Sequence, residues 1–214
     1  MILAIDTSGS LAAVAVHDGS EVVFAGSGTR VRAHGEELGP LLAEAMSGRT
    51  RRFTHVVVGR GPGLYTGLRV GLAAASSIGW ALDLPVLGFC SLDVLAEQFD
   101  GGLGGCAVVV DARRQELFWA RYADGRRISG PDVGKAEAVR AEIGAGVPVH
   151  GDTALLDGVA SGERGSVRID PGALGRFAAQ LVALGRGEPP VPIYLRSPDV
   201  TASAGAKSAL PGGS

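Results

Sequence analysis

Large aromatic residues are scarce. Two Trp, three Tyr and six Phe make up 5% of 214 residues, so a core must be built from Val, Leu, Ile and Ala, with backbones packed closely. The two cysteines, Cys90 and Cys106, have no Cys-x-x-Cys spacing and lie in apolar surroundings, which excludes a disulfide scaffold and implies buried free thiols. Neither sign of charge dominates: 20 Lys and Arg stand against 22 Asp and Glu, a net charge of -2. That balance excludes strong unaided binding to nucleic acid through counterion release, so a partner must supply the charge. The opening MILAIDTSGS has no basic region, and the longest nearly apolar run, Val70 to Leu82, is too short to span a bilayer. A soluble cytoplasmic protein is expected, with no membrane partner.

Catalytic motifs are equally thin. The histidines His17, His34, His55 and His150 include no pair at i and i+4, and His34-Gly-Glu-Glu-Leu inverts the His-Glu-x-x-His of zinc proteases, so no metal site is expected. No Gly-x-Ser-x-Gly elbow stands among the serines. VGRGPGLYTGLRVG, residues 58–71, looks like a phosphate loop. Yet counting six residues from Gly59, Gly61 or Gly63 reaches Leu64, Thr66 or Leu68, with no Lys after, which excludes a Walker A loop. A dinucleotide fingerprint fails because Leu64 or Thr66 stands where its last Gly belongs. No catalytic residue is assigned.

Glycine is abundant, at 34 residues, but aperiodic. Strands are expected at Ile2 to Ile5, Leu11 to Val16 and Glu21 to Ala25, joined by turns at Asp6-Thr-Ser-Gly-Ser and Asp18-Gly19. A second strand-Asp-turn-strand unit, Cys106 to Val110, Asp111, Leu117 to Tyr122 and Asp124-Gly125, suggests a duplicated subdomain. Between the copies, helices are expected at His34 to Met46, where Pro40 sits in the first turn or kinks the helix, and at Thr66 to Leu82, with Thr66 as N-cap. Strands at His55 to Gly59 and Pro85 to Phe89 and a Ser91-capped helix Leu92 to Phe99 complete an α/β layer. Further on, helices are expected at Lys135 to Ile143 and Pro171 to Leu184, and a strand at Val147 to Gly151. The implied units are residues 1–100, 101–196 and a disordered tail, 197–214.

Two features raise functional questions. Asp6, Thr7 and Ser8 end the first strand in the position of a phosphate hairpin, and Gly61, Gly63, Thr66 and Arg69 surround the start of the second helix, whose free N-H groups can attract an anion. A nucleotide or anion contact and a plain turn both fit. The pseudo-copy Asp111-Ala-Arg-Arg-Gln has no glycine, so a nucleotide site is half built at best. Gly67, Gly71, Ala75 and Gly79 fall every fourth residue and clear a groove along one helix face. Spacing alone does not say whether this chain or a partner fills it. Arg49, Arg51 and Arg52 read as a solvated loop or an auxiliary nucleic-acid contact.

Taken together, ILAIDTS, His34-x-Glu36-x-Leu38-x-Pro40, GRGPGLYTGLRVG, LGFCSLDVLA, VVDARRQELFWARY and Pro192-Ile-Tyr-Leu-Arg196 closely resemble the bacterial tRNA threonylcarbamoyladenosine biosynthesis family TsaB, or YeaZ. The resemblance implies two related subdomains of the actin, heat-shock chaperone and sugar-kinase (ASKHA) type, each with a mixed sheet and flanking helices. It implies a non-catalytic subunit that pairs with the transferase TsaD, is joined by the ATPase TsaE, meets tRNA only within the complex, and self-associates when free. No cofactor is intrinsic to it, though a nucleotide at the partner interface is compatible. The partner surface it implies comprises His34, Glu36, Leu38, Leu41, Gly67, Leu68, Gly71, Leu72, Ala75 and Gly79, with the leucines in the contact or in the core beneath. Gly35, where the family commonly has Ser or Asn, and Leu64-Tyr65, where it has Ser-Phe, depart from the pattern. A phosphotransferase of the same superfamily and a peptidase are the competing enzyme readings.

Overall fold

Every residue of the first strand, β1 (Ile2–Asp6), is buried, because both faces of its sheet are covered. The computed structural model describes residues 1–31, 33–100, 105–157 and 167–196; the tail at 197–214 lies outside the described residues. β2 (Ala13–His17) and β3 (Val22–Ser27) continue from β1 as an antiparallel meander. After helix α1 (His34–Met46), β4 (His55–Gly59) pairs in parallel with the other edge of β1, and after α2 (Tyr65–Leu82), β5 (Val86–Phe89) pairs with β4. The sheet order is β3-β2-β1-β4-β5.

Helix α3 (Ser91–Asp100) leads into a second sheet. Its meander is β6 (Cys106–Arg113), β7 (Glu116–Ala123) and β8 (Arg126–Lys135); α4 (Ala136–Ile143) follows, and β9 (Val149–Gly151) pairs in parallel with β6. The order β8-β7-β6-β9 repeats the first winding, with a helix again between third and fourth strands. The repeat reaches atomic detail. Asp6 Oδ1 accepts from the Ser8 N-H and Asp111 Oδ1 from the Arg113 N-H, each at 2.7 Å. These are two related mixed sheets with flanking helices, as expected.

One face of the first sheet carries Leu3, Ile5, Val14, Val16, Val56 and Val58 against α1 and α2. The other carries Ile2, Ala4, Ala13, Ala15 and Val57 against the last helix, α5 (Pro171–Ala183). Two covered faces explain the continuous apolar strands. Small residues bring α5 close: a Cβ on Gly175 would stand 2.9 Å from Val22 and 3.2 Å from Ala15. Helix α3 packs on the second sheet through Leu92, Leu95 and Ala96, while Val94 faces the core beneath α5. Both cysteines are buried and outside any disulfide.

Three local readings need correction. Helix α2 begins at Tyr65, and its N-cap is Leu64 with no side-chain cap, so Thr66 lies within the first turn. Strand β6 does not stop near Asp111 but runs to Arg113, and Arg113, Arg114 and Gln115 all hold positive φ angles (68°, 55° and 61°). The hairpin closes between Arg113 and Glu116 without glycine. Strand β8 was hidden by Gly130-Pro131, which breaks strand patterning; its outward residues are exposed along an edge where Pro is tolerated. The C-terminal end of α1 is satisfied by Arg49, which donates to the carbonyls of Glu44 and Ala45.

Candidate functional site

Most of the residues expected to hold an anion converge where β1 ends. Asp6 is fully buried, and both of its oxygens are engaged. Oδ1 accepts from Ser8 N-H and Oγ-H (2.7 and 2.6 Å), and Oδ2 from Ser91 Oγ-H (2.6 Å). Ser91 in turn accepts from Gly61 N-H, and its own N-H donates to the Gly61 carbonyl. A Cβ on Gly59 would lie 1.9 Å from Asp6 Oδ2, and one on Gly63 would lie 2.5 Å from the Ser8 carbonyl oxygen. The glycines therefore let this chain's own loops close on one another. The cavity left there, between Ser8, His34, Gly63, Asp111 and Arg113, holds about 40 Å³. That is room for a few waters, whereas small-molecule sites run to about 300 Å³ or more.

Of the expected anion set, Asp6, Thr7, Ser8, Gly61 and Gly63 come together in this tie between β1 and α3. Thr66 and Arg69 do not; both are exposed, and Arg69 stacks 3.7 Å from the centroid of the Tyr65 ring and donates to Tyr194 Oη. Among the described residues no three His, Cys, Asp or Glu side chains are grouped to hold a metal. Replacing Asp6 by Ala leaves buried serine hydroxyls without their acceptor and should cost about 2–3 kcal/mol. For a chain of this size that lowers the melting temperature by roughly 5–10 °C, measurable by calorimetry. Burial dominates in holding the Asp6 carboxyl above its ordinary value. Its contribution is thus complete in acid and declines as pH rises through the folded-state value, a decline that Asp6→Asn should abolish.

The stripe Gly67, Gly71, Ala75, Gly79 faces inward, a correction to its expected place in a partner surface. A Cβ on Gly67 would lie 2.6 Å from the Thr7 carbonyl oxygen, on Gly71 2.3 Å from Thr7 Oγ1, and on Gly79 2.2 Å from Val86. Thr7 Oγ1 donates to the Gly67 carbonyl at 2.7 Å and accepts from Gly71 N-H at 3.1 Å, bolting α2 to the β1–β2 loop. Leu38, Leu68 and Leu72 are also buried, and Leu41 is partly buried, so these leucines belong to the layer beneath. His34 is buried with Nε2 3.0 Å from the Gly9 carbonyl oxygen. Only Glu36 of the expected interface set is exposed, paired with Arg30 at 2.7 Å.

The opposite face carries a feature that pattern reading missed. On α2 the exposed residues are Thr66, Arg69, Ala73, Ser76, Ser77, Trp80 and Ala81, and on the neighbouring α1 they include Gly35, Glu36, Gly39, Pro40, Ala43 and Glu44. Most are small, yet Trp80 is 88% exposed, while the other tryptophan, Trp119, is buried. The exposed neighbours of Trp80 along α2 are Ala73, Ser76, Ser77 and Ala81, so the indole projects from a helix side with few large side chains. Its signal in the sequence is position: Trp80 follows Gly79 on the helix side that the buried stripe leaves to solvent. The late PIYLR segment ties the two sheets, with Ile193 N-H donating to the Arg60 carbonyl and Arg196 reaching Ala112 and Glu116 on the β6–β7 hairpin.

A family model described as TsaD, tRNA N6-adenosine threonylcarbamoyltransferase, matches residues 29–145, more than half of the chain. An uncharacterized protein of Mycobacterium tuberculosis is 39% identical over 206 residues, covering 92% of each chain. The Escherichia coli tRNA threonylcarbamoyladenosine biosynthesis protein TsaB is 32% identical over 127 residues, 56% of this chain and 54% of that protein. Among solved structures, YeaZ from Pseudomonas aeruginosa superposes with a TM-score of 0.75 at 25% identity, covering 91% of this chain and 99% of the other.

Proposed function

The chain belongs to the family of the tRNA N6-adenosine threonylcarbamoyltransferase model and, within it, to the TsaB (YeaZ) proteins, and on that premise we propose that it is a non-catalytic subunit of the apparatus that forms threonylcarbamoyladenosine in tRNA. In this reading it docks the catalytic subunit TsaD through the outer face of α1 and α2, TsaE joins the pair, and tRNA is met only in the assembled complex in the cytoplasm. The observation that carries the reading is Trp80, 88% exposed on a helix face whose other exposed residues are mostly small. A side chain of this kind gains about 4–6 kcal/mol of gross hydrophobic stabilisation when its roughly 150–250 Å² is covered. The same face offers free copies a site for self-association. The closed tie around Asp6 supports a role in which this chain positions another subunit and transfers nothing itself.

Reconstitution tests the reading. Incubated with tRNA and threonylcarbamoyl-AMP, this chain alone should yield no modified tRNA, and TsaD with TsaE should yield product only once it is added. Product from this chain alone, or full activity without it, would contradict the proposal.

A further inference from the structure

A second hollow, on the other side of the molecule, has no part in that docking. Between α3, α5 and the turn from β7 to β8 lies an open cavity of about 480 Å³, within the range of small-ligand sites. One wall is fixed by a polar lock: Asp93 Oδ1 accepts from Tyr122 Oη-H at 2.8 Å and from Arg127 Nε-H at 3.0 Å. The floor is apolar, with the rings of Phe89 and Phe177 5.2 Å apart and Leu181 beside them.

Of the other charged residues lining the cavity, Glu188 is paired with Arg60, while Arg126, Arg186 and Glu97 are left for a ligand. Arg126, at the start of β8, and Arg186, just beyond α5, are exposed at its rim, and neither side chain makes a hydrogen bond or ion pair among the described residues. One helical turn after Asp93, Glu97 lines the same cavity, is only partly exposed, and its side chain likewise has no hydrogen bond or ion pair. Burial raises its carboxyl above the ordinary value, and the charge of Arg176 opposes that rise more weakly.

We propose that this cavity binds a small zwitterion of about dipeptide size, its anionic end on Arg126 and Arg186, its ammonium on Glu97, and its apolar body over Phe177 and Leu181. The partly buried Glu97 carboxylate favours a cationic group beside it and the two rim guanidiniums an anionic one, so a simple ion would use only part of the cavity. A zwitterion with an apolar middle satisfies both ends and the floor.

The probe is the dipeptide leucylphenylalanine, titrated calorimetrically into the full chain beside its N-acetyl and C-amide forms. The dipeptide should bind saturably, and each blocked form should bind at least about tenfold more weakly. Glu97→Gln should weaken the free dipeptide by about tenfold while changing the N-acetyl form little, and Arg186→Gln should likewise weaken the free dipeptide while changing the C-amide form little. Both variants alter exposed or rim positions, and unchanged melting curves check that they fold. Absence of saturable binding at millimolar dipeptide, equal binding of the blocked forms, or variants that bind as wild type would each overturn the proposal.

Discussion

Replacing Trp80 by alanine should weaken the proposed association with TsaD by about 30- to 1,000-fold, the loss of about 2–4 kcal/mol expected of a central aromatic anchor. The isolated chain should melt as before, because the indole is 88% exposed and touches little of its own fold. Alanine is also the better helix former, so any change in stability should be a slight gain. Sedimentation or surface-binding titration against TsaD, beside a thermal melt, measures both halves. Equal affinity of wild type and Trp80→Ala would remove the outer face of α2 from the interface.

Gly71→Leu should do the opposite: it should destroy the fold rather than the partnership. A Cβ at this position would stand 2.3 Å from Thr7 Oγ1, in the middle of the two hydrogen bonds that fasten α2 to the β1–β2 loop. Leucine adds three further carbons in a layer where Leu68 and Ala75 are fully buried. Overpacking together with a broken buried hydrogen-bond pair places the loss beyond about 4 kcal/mol, a large part of the 5–15 kcal/mol a domain ordinarily has. Even Gly71→Ala should lose stability, although alanine in a helix interior otherwise gains about 1 kcal/mol over glycine. Circular dichroism and chemical denaturation report the effect. A Gly71→Leu chain that folds normally and loses only its partner would return the glycine stripe to the interface.

These two positions mark where pattern reading succeeds and stops. Helix α1 and strand β4 fall at the expected residues because helical spacing of Leu38, Leu41, Leu42 and Ala45 and a bounded Val run are local signals. The duplicated winding was visible in the paired Asp turns, since each is a short-range i to i+2 bond. Strand β8 was not, because its neighbours in β7 supply the pairing that Gly130-Pro131 argues against. The turn Arg114-Gln115 was equally hidden: two-residue hairpins with both φ angles positive usually announce themselves with Asn or Gly.

The glycine stripe was legible as a close approach but not as to what approaches. Only the tertiary placement of Thr7, His34 and Val86 answers that, and it fills the groove from within. Trp80 became informative for the complementary reason. Tryptophan in an apolar-rich helix reads as core until its neighbours are seen to leave it in solvent.

The most direct measurement is the amount of threonylcarbamoyladenosine formed by TsaD and TsaE supplied with either the wild-type chain or Trp80→Ala at equal, sub-saturating concentration. The wild type should restore product and the variant should not, with activity recovering as the variant's concentration is raised to match its weaker binding. Equal product from both at every concentration would contradict the claim that this chain acts by docking through the outer face of α1 and α2.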